Sequence, residues 1–237
     1  IENFLALFLG FIMFFPNKKL FIHIPKTGGT SLEFAIASKF FYEKIDQEEA
    51  DSSYRDFIDQ NGFQSLDRKK IEEMSYQKFT INGHFRKLKK GQGGHPHSFI
   101  NDYAEFLDIY EYEKFVVVRN PYDQVVSLYN QIRKQVEINS LDDFILCKDK
   151  HNIDKYRHYI DQYAFTHMDG SLSVDKVFVF DRYHQAQDYV EEVFQIKIDR
   201  SLRLWKTEYN GETLSESSRK HFEDMYSQSI ELYNKFI

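Results

Sequence analysis

Three short, mainly apolar segments that read as buried strands, at 19–24, 115–118 and 177–180, are each followed by a stretch with helical spacing. A strand that is apolar on both faces has no solvent side, so it needs cover above and below, as in a parallel sheet sandwiched by helices. The intervening segments supply that cover. Leu32, Ile36 and Phe40 fall on one face of a helix predicted over 30–40, and Val125, Leu128, Tyr129 and Ile132 line the next. A third helix is predicted over 183–194, and a long amphipathic one, about 215–236, closes the chain. The class is α/β, with a central parallel sheet flanked by helices. No repeat, Pro/Gly-rich linker or low-complexity tract divides the 237 residues, so a single domain over 1–237 is expected.

Composition narrows the partners. With a net charge of −6 and an isoelectric point near 5.9, the chain does not suit wholesale nucleic-acid binding, so any anion site has to be a local basic spot. Cys147 is the only cysteine, which excludes an intrachain disulfide framework and a cysteine-based zinc site. No Asn-x-Ser/Thr sequon occurs, and a reducing, cytoplasmic setting fits best. Within the apolar N-terminal segment 1–17, the run 4–15 is shorter than the roughly 20 residues a bilayer span requires. It reads as a packed or interfacial helix offering peripheral membrane contact, with a membrane remnant as the alternative. No basic residues precede it and no small-residue cleavage site follows, so a signal peptide is not expected. Residues 43–78 are charged with few firm signals, 79–82 suit a short strand, and 90–98 (KGQGGHPHS) are a loop by composition.

The segment 21–34, FIHIPKTGGTSLEF, carries the first chemical signal. It turns from strand to helix through Pro25, Lys26, Thr27, Gly28, Gly29, Thr30 and Ser31. Backbone N–H groups at a helix start are unpaired, and the helix dipole favours negative charge there. Gly28 and Gly29 permit a tight turn and close approach to an oxyanion, Lys26 adds positive charge, and the hydroxyls of Thr27, Thr30 and Ser31 add donors. The simpler alternative is a glycine turn with Thr30 or Ser31 capping a helix. The order of residues is not that of a Walker A loop, in which Lys-Ser/Thr follows the second glycine; here the lysine precedes both.

The second signal is RNPYDQVVS, residues 119–127. Asn120-Pro121 is a cap followed by a first-turn proline. Arg119 leaves the strand end, and Ser127 lies roughly 9 Å along the helix from Pro121 at about 1.5 Å per residue. An extended guanidinium spans that distance, so both side chains are able to converge on one phosphate. Separately, each reads as an ordinary surface arginine and a helical serine.

Taken together, HIPKTGGTS and RNPYDQVVS resemble the cofactor signature of sulfotransferases that use 3′-phosphoadenosine 5′-phosphosulfate (PAPS), in the carbohydrate branch that includes heparan sulfate sulfotransferases and bacterial relatives. The resemblance implies a P-loop-like sulfotransferase fold, with the first segment binding the 5′-phosphosulfate and the second the 3′-phosphate. VFDRYHQAQDYVEEVF resembles the family's late strand and helix, and YSQSIELYNKF its C-terminal helix, although Ser229 stands where family members often carry aspartate. The implied partner is a carbohydrate or other hydroxyl-bearing acceptor, and no metal is implied.

Transfer to a hydroxyl calls for a general base near neutrality, a task suited to histidine. Of nine histidines, His84 is selected: it follows the predicted strand in FTINGHFR, after a glycine, and resembles the family's Gly-His catalytic segment. The alternative is a strand-end histidine bonded to a loop. Lys26 is the group suited to stabilise charge growing on the bridging oxygen, making it a catalytic as well as a binding candidate. His23, inside the first strand, reads as structural, and His95 and His97 as a solvated turn rather than a metal site. Arg86, Lys87, Lys89 and Lys90 suit either steering of an anionic acceptor or a solvated basic loop. Two rival functions remain open at this level: a P-loop-like nucleotide kinase, and a non-catalytic nucleotide-binding, membrane-associated module.

Overall fold

The computed structural model describes residues 14–15, 19–32, 35, 99–104, 109–133, 137–146, 160–201 and 212–237. His84, the segment 43–78, the strand predicted at 79–82, the loop at 90–98 and residues 4–13 of the apolar run lie outside this set. Among the described residues, four strands form the main sheet in the order β1 (Phe14–Phe15), β2 (Lys19–Ile22), β3 (Glu113–Val118) and β6 (Lys176–Val179). The last three are parallel: Phe21 pairs with Phe115, and Val117 with Phe178. β1 runs antiparallel to β2, with Phe14 opposite Leu20, so the apolar run ends as an edge strand where a helix was expected. A second, two-stranded sheet joins β4 (His167–Met168) to β5 (Ser171–Leu172) through Asp169 and Gly170, both with positive φ.

Both faces of the main sheet are buried, as apolar strands require. Leu20, Ile22, Val116, Val118 and Val179 face one side, where they meet α1 (Ile100–Ala104), Phe165 of α4 (Gln162–Thr166), and Leu232 and Tyr233 of α6 (Glu216–Asn234). Phe21, Phe115, Val117 and Phe178 face the other, where Ala186, Val190 and Phe194 of α5 (Tyr183–Phe194) and Leu32 close over them. On that face Phe21 stacks on Phe115, whose edge meets Tyr189, at centroid distances of 5.0 and 5.2 Å. Alternation of side chains along each strand produces this division.

α2 (Pro121–Ile132) and α3 (Leu141–Leu146) build a third cluster with Phe222 and Tyr226 of α6. The predicted cap holds: Asn120 Oδ1 accepts from the Tyr122 N–H at 3.0 Å, and Pro121 opens the helix. α6 leaves helical geometry at Tyr226 (φ −120°, ψ 25°), so its first half serves this cluster and its second half the sheet. Among the described residues no helix is long and apolar enough to cross a membrane.

Charged residues inside the frame are paired. Buried Lys114 donates to the carbonyls of Ile109 and Tyr112 and pairs with Asp175 at 2.9 Å. Burial alone would raise the Asp175 carboxyl, but its hydrogen bonds to Lys114 hold it below the ordinary value. Glu113 is held low in the same sense by Lys19, Tyr189 and Lys176, against its burial.

Ser229 is fully buried in α6 and ties that helix to α4. Its hydroxyl donates to Asp161 Oδ1 at 2.9 Å and accepts from the Tyr163 N–H at 3.1 Å. It thereby satisfies an N-terminal donor of α4 that Asp161, the N-cap residue, leaves to it. An aspartate at 229 would set two carboxylates against each other, which accounts for serine here. Ser229→Ala is expected to cost about 1–2 kcal/mol, since it strands both partners. Urea unfolding checks this, and an unchanged midpoint would refute it.

Candidate functional site

Parallel strands deliver their following segments to one edge, and at the carboxyl edge here three such segments meet. Residues 23–28 follow β2, Arg119 and Asn120 follow β3, and a 3₁₀ turn, Phe180–Arg182, follows β6 and leads into α5. The first segment enters a helical turn at 29–32. Lys26 and Gly28 both adopt positive φ, 66° and 85°, with Thr27 between them. Positive φ in a lysine is strained, by about 1–2 kcal/mol, and alternating backbone hands of this type form the concave nests in which anions bind.

Four of the loop's carbonyls, those of Ile24, Pro25, Lys26 and Gly28, accept hydrogen bonds. Thr27 Oγ1 donates to the Ile24 carbonyl at 2.8 Å. Gln124 Nε2 of α2 donates to that of Pro25 at 2.9 Å, and Arg119 Nη1 to that of Lys26 at 3.0 Å. Tyr183 Oη of α5 donates to that of Gly28 at 2.6 Å, and the Ser31 N–H to the same oxygen at 3.1 Å. A trans peptide points its N–H opposite to the preceding carbonyl. The N–H groups of Lys26, Thr27 and Gly29 are therefore turned away from Gln124, Arg119 and Tyr183 respectively. Thr27 and Ser31 are buried, while Lys26, Gly28 and Thr30 are part-exposed. Of the hydroxyls predicted here, that of Thr27 is committed to the loop itself.

Arg119 is fixed at both ends. Its backbone N–H and C=O exchange hydrogen bonds with the side-chain amide of buried Gln162, at 2.9 and 2.7 Å. Its guanidinium lies 4.6 Å above the Phe180 ring. Burial lowers the guanidinium's pKa, and the charges of Asp123 and Asp181 oppose that shift. Arg119 Nε is buried with no hydrogen-bond partner among the described residues. Ser127, the other half of the predicted pair, is buried in α2. Asp181 also accepts from Tyr233 Oη at 2.8 Å, which brings α6 to this edge.

Sequence reading brought out Lys26 to Ser31, Arg119 and Ser127, and the structure brings Arg119 onto the loop of the first group. It missed Gln124, Gln162, Phe180 and Tyr183, which hold that arrangement. The signal available for the last two was their place directly after an apolar strand. His23, read as structural, is buried and stacks beside Phe21 at 5.7 Å. Among the described residues no group of three or more His, Cys, Asp or Glu is placed to hold a metal ion.

A glycine loop between strand and helix, at the carboxyl edge of a parallel sheet, is the corner at which α/β proteins bind phosphate-like anions. Residues 10–235 match the Sulfotransferase family, and the chain belongs to that family, whose chemistry is sulfuryl transfer. Among solved structures it is similar to a sulfotransferase from Alicyclobacillus acidocaldarius, with 13% identity and a TM-score of 0.39 over 91% of this chain and 93% of that one. No curated protein matches the chain.

Gly29 admits a direct test of the loop. A Cβ there would stand 2.2 Å from His23 Cδ2 and 2.5 Å from Nε2. Gly29→Ala is expected to destabilise by about 1–3 kcal/mol through overpacking. In a His23→Ala background the clash is gone and alanine's better helix propensity remains, so the same change becomes neutral or stabilising. Thermal unfolding of the four proteins measures this, and an equal cost in both backgrounds would refute the contact.

Proposed function

We propose that the chain transfers the sulfuryl group of PAPS to a hydroxyl of a carbohydrate, with His84 as general base. The observation that supports this donor is the loop 24–29, in which the carbonyls of Ile24, Pro25, Lys26 and Gly28 are held by hydrogen bonds and the N–H groups of Lys26, Thr27 and Gly29 face away from the residues that hold them. The residues present fit a nucleotide bearing phosphates at two ends. The backbone of Gly28, Gly29 and Thr30, with Lys26 and the Ser31 hydroxyl, would hold the 5′ end, and Thr27 acts there through its backbone. Arg119 and Ser127 would hold the 3′-phosphate, and the buried, unpartnered Nε of Arg119 leaves that guanidinium a donor to offer.

When bound, PAPS supplies a sulfuryl group on a phosphate leaving group. The chain's own residues then perform three tasks. Lys26 places positive charge beside the bridging oxygen, where it counters charge that grows in a loose, in-line transition state, by analogy with phosphoryl transfer. Arg119 and the loop N–H groups hold the nucleotide still. His84 takes the acceptor's proton as the new S–O bond forms. Arg86, Lys87, Lys89 and Lys90 follow His84 closely in the chain and suit an acidic sugar as acceptor. A kinase reading lacks both Gly-Lys-Ser/Thr and an acidic residue after β3, where Arg119 stands.

Calorimetry with 3′-phosphoadenosine 5′-phosphate (PAP), without magnesium and with ADP as control, tests the donor. Preference for PAP is expected in the wild type and is expected to vanish in Arg119→Ala and Ser127→Ala. Equal affinity for PAP and ADP would remove the basis of this function. For the base, His84→Ala is expected to retain PAP affinity and lose turnover by roughly a hundredfold or more. The wild-type rate should rise with pH as the base loses its proton, and the variant should lack that limb.

A further inference from the structure

Two side chains that touch the anion loop from outside have no part in the chemistry above. Tyr183 opens α5, and its hydroxyl donates to the Gly28 carbonyl at 2.6 Å across 155 residues of sequence. Its ring lies against the same residue: a Cβ on Gly28 would meet Tyr183 Cε2 at 2.8 Å and Phe180 Cε2 at 3.0 Å. Gln124, in the first turn of α2, donates to the Pro25 carbonyl at 2.9 Å. Phe180, three residues before Tyr183, packs against it at a centroid distance of 5.6 Å and also forms the surface beneath Arg119.

A peptide unit presents a partial negative charge at one end and a partial positive charge at the other. In a glycine-containing loop, a rotation that costs little backbone energy exchanges the two ends. An anion placed against such a loop then meets carbonyl oxygens for part of the time. A donor that captures the carbonyl from outside removes the unfavourable orientation before the anion arrives, which is electrostatic preorganisation. Tyr183 does this for the peptide that carries the Gly29 N–H, and Gln124 for the one that carries the Lys26 N–H.

We propose that Tyr183 and Gln124 are positioning residues for the 5′ end of the donor, orienting the loop's peptide N–H groups toward the phosphosulfate without touching it. The proposal rests on the PAPS reading of this loop. It also gives the junction between β6 and α5 a role: Tyr183 steadies the 5′ loop and Phe180 carries Arg119, so both ends of the nucleotide depend on a segment that binds neither.

The test compares affinities for PAP and for adenosine 3′-monophosphate, which lacks the 5′-phosphate. Their ratio isolates what the loop contributes. Tyr183→Phe keeps the ring against Gly28 and removes only the hydroxyl. It is expected to weaken PAP binding roughly three- to tenfold, the worth of one hydrogen bond, while leaving adenosine 3′-monophosphate within about twofold of wild type. Gln124→Met is expected to compress the ratio in the same way, and it decides the matter if Tyr183→Phe fails to fold. In turnover, the donor KM should rise more than kcat falls. A wild type that prefers PAP, with variants that keep the full ratio or lose both ligands in parallel, overturns the positioning role alone. A wild type that binds the two nucleotides equally overturns the 5′ reading of the loop and this role with it.

Discussion

The common direction of β2, β3 and β6 is the constraint on which the site depends. Their registers bring the three carboxyl ends side by side, so the segments that leave the sheet are neighbours although far apart in sequence. None of them could be moved to the opposite edge without reversing a strand and turning its apolar residues out of register. The sheet is in turn held parallel by the helices that cover it, because only burial on both faces suits strands as apolar as Phe115–Val118. The hydrophobic frame thus decides where polar chemistry can occur, and the polar residues need only choose what happens there.

At that edge, positive charge is collected and then moderated. Arg119 is partly desolvated, which disfavours its charge, and Asp123 and Asp181 restore some of the balance. The Phe180 ring adds a cation–π surface beneath the guanidinium. Backbone strain is stored in the same place, at Lys26, beside a Gly28 that adopts positive φ without cost. Strain of this kind persists only when its surroundings over-determine it, and the hydrogen bonds to the carbonyls of Ile24, Pro25, Lys26 and Gly28 do so.

The architecture was legible in the sequence wherever a residue's own character determined its place. The central strands carry apolar runs after a charged start, and α5 begins and ends where its spacing predicts, at Tyr183 and Phe194. β3 begins two residues earlier than the apolar run suggested, because Lys114 is buried with two carbonyls and Asp175 as partners, and no local pattern announces such a pairing. Asp169-Gly170 is a turn signal, and it joins the β4 and β5 strands, which are too short, at two residues each, to show a period of their own. In the site, glycines and a lysine at a strand–helix corner speak for themselves. Gln162, Gln124 and Tyr183 do not, because each acts on a backbone group 43, 99 or 155 residues away, and an amide or phenol carries no mark of its distant partner.

The break in α6 at Tyr226 has a mechanical result. One continuous segment inserts Phe222 and Tyr226 into the helical cluster, and Leu232 and Tyr233 into the sheet core, with Tyr233 reaching Asp181 at the carboxyl edge. Neither hydrophobic body can lose its order while the other keeps an intact α6, so the two are bound into one melting unit. Occupancy at the carboxyl edge accordingly stabilises more than the loops that surround it. A ligand held at that edge would act along α6 on α2 and α3, as a staple for the far end of the fold.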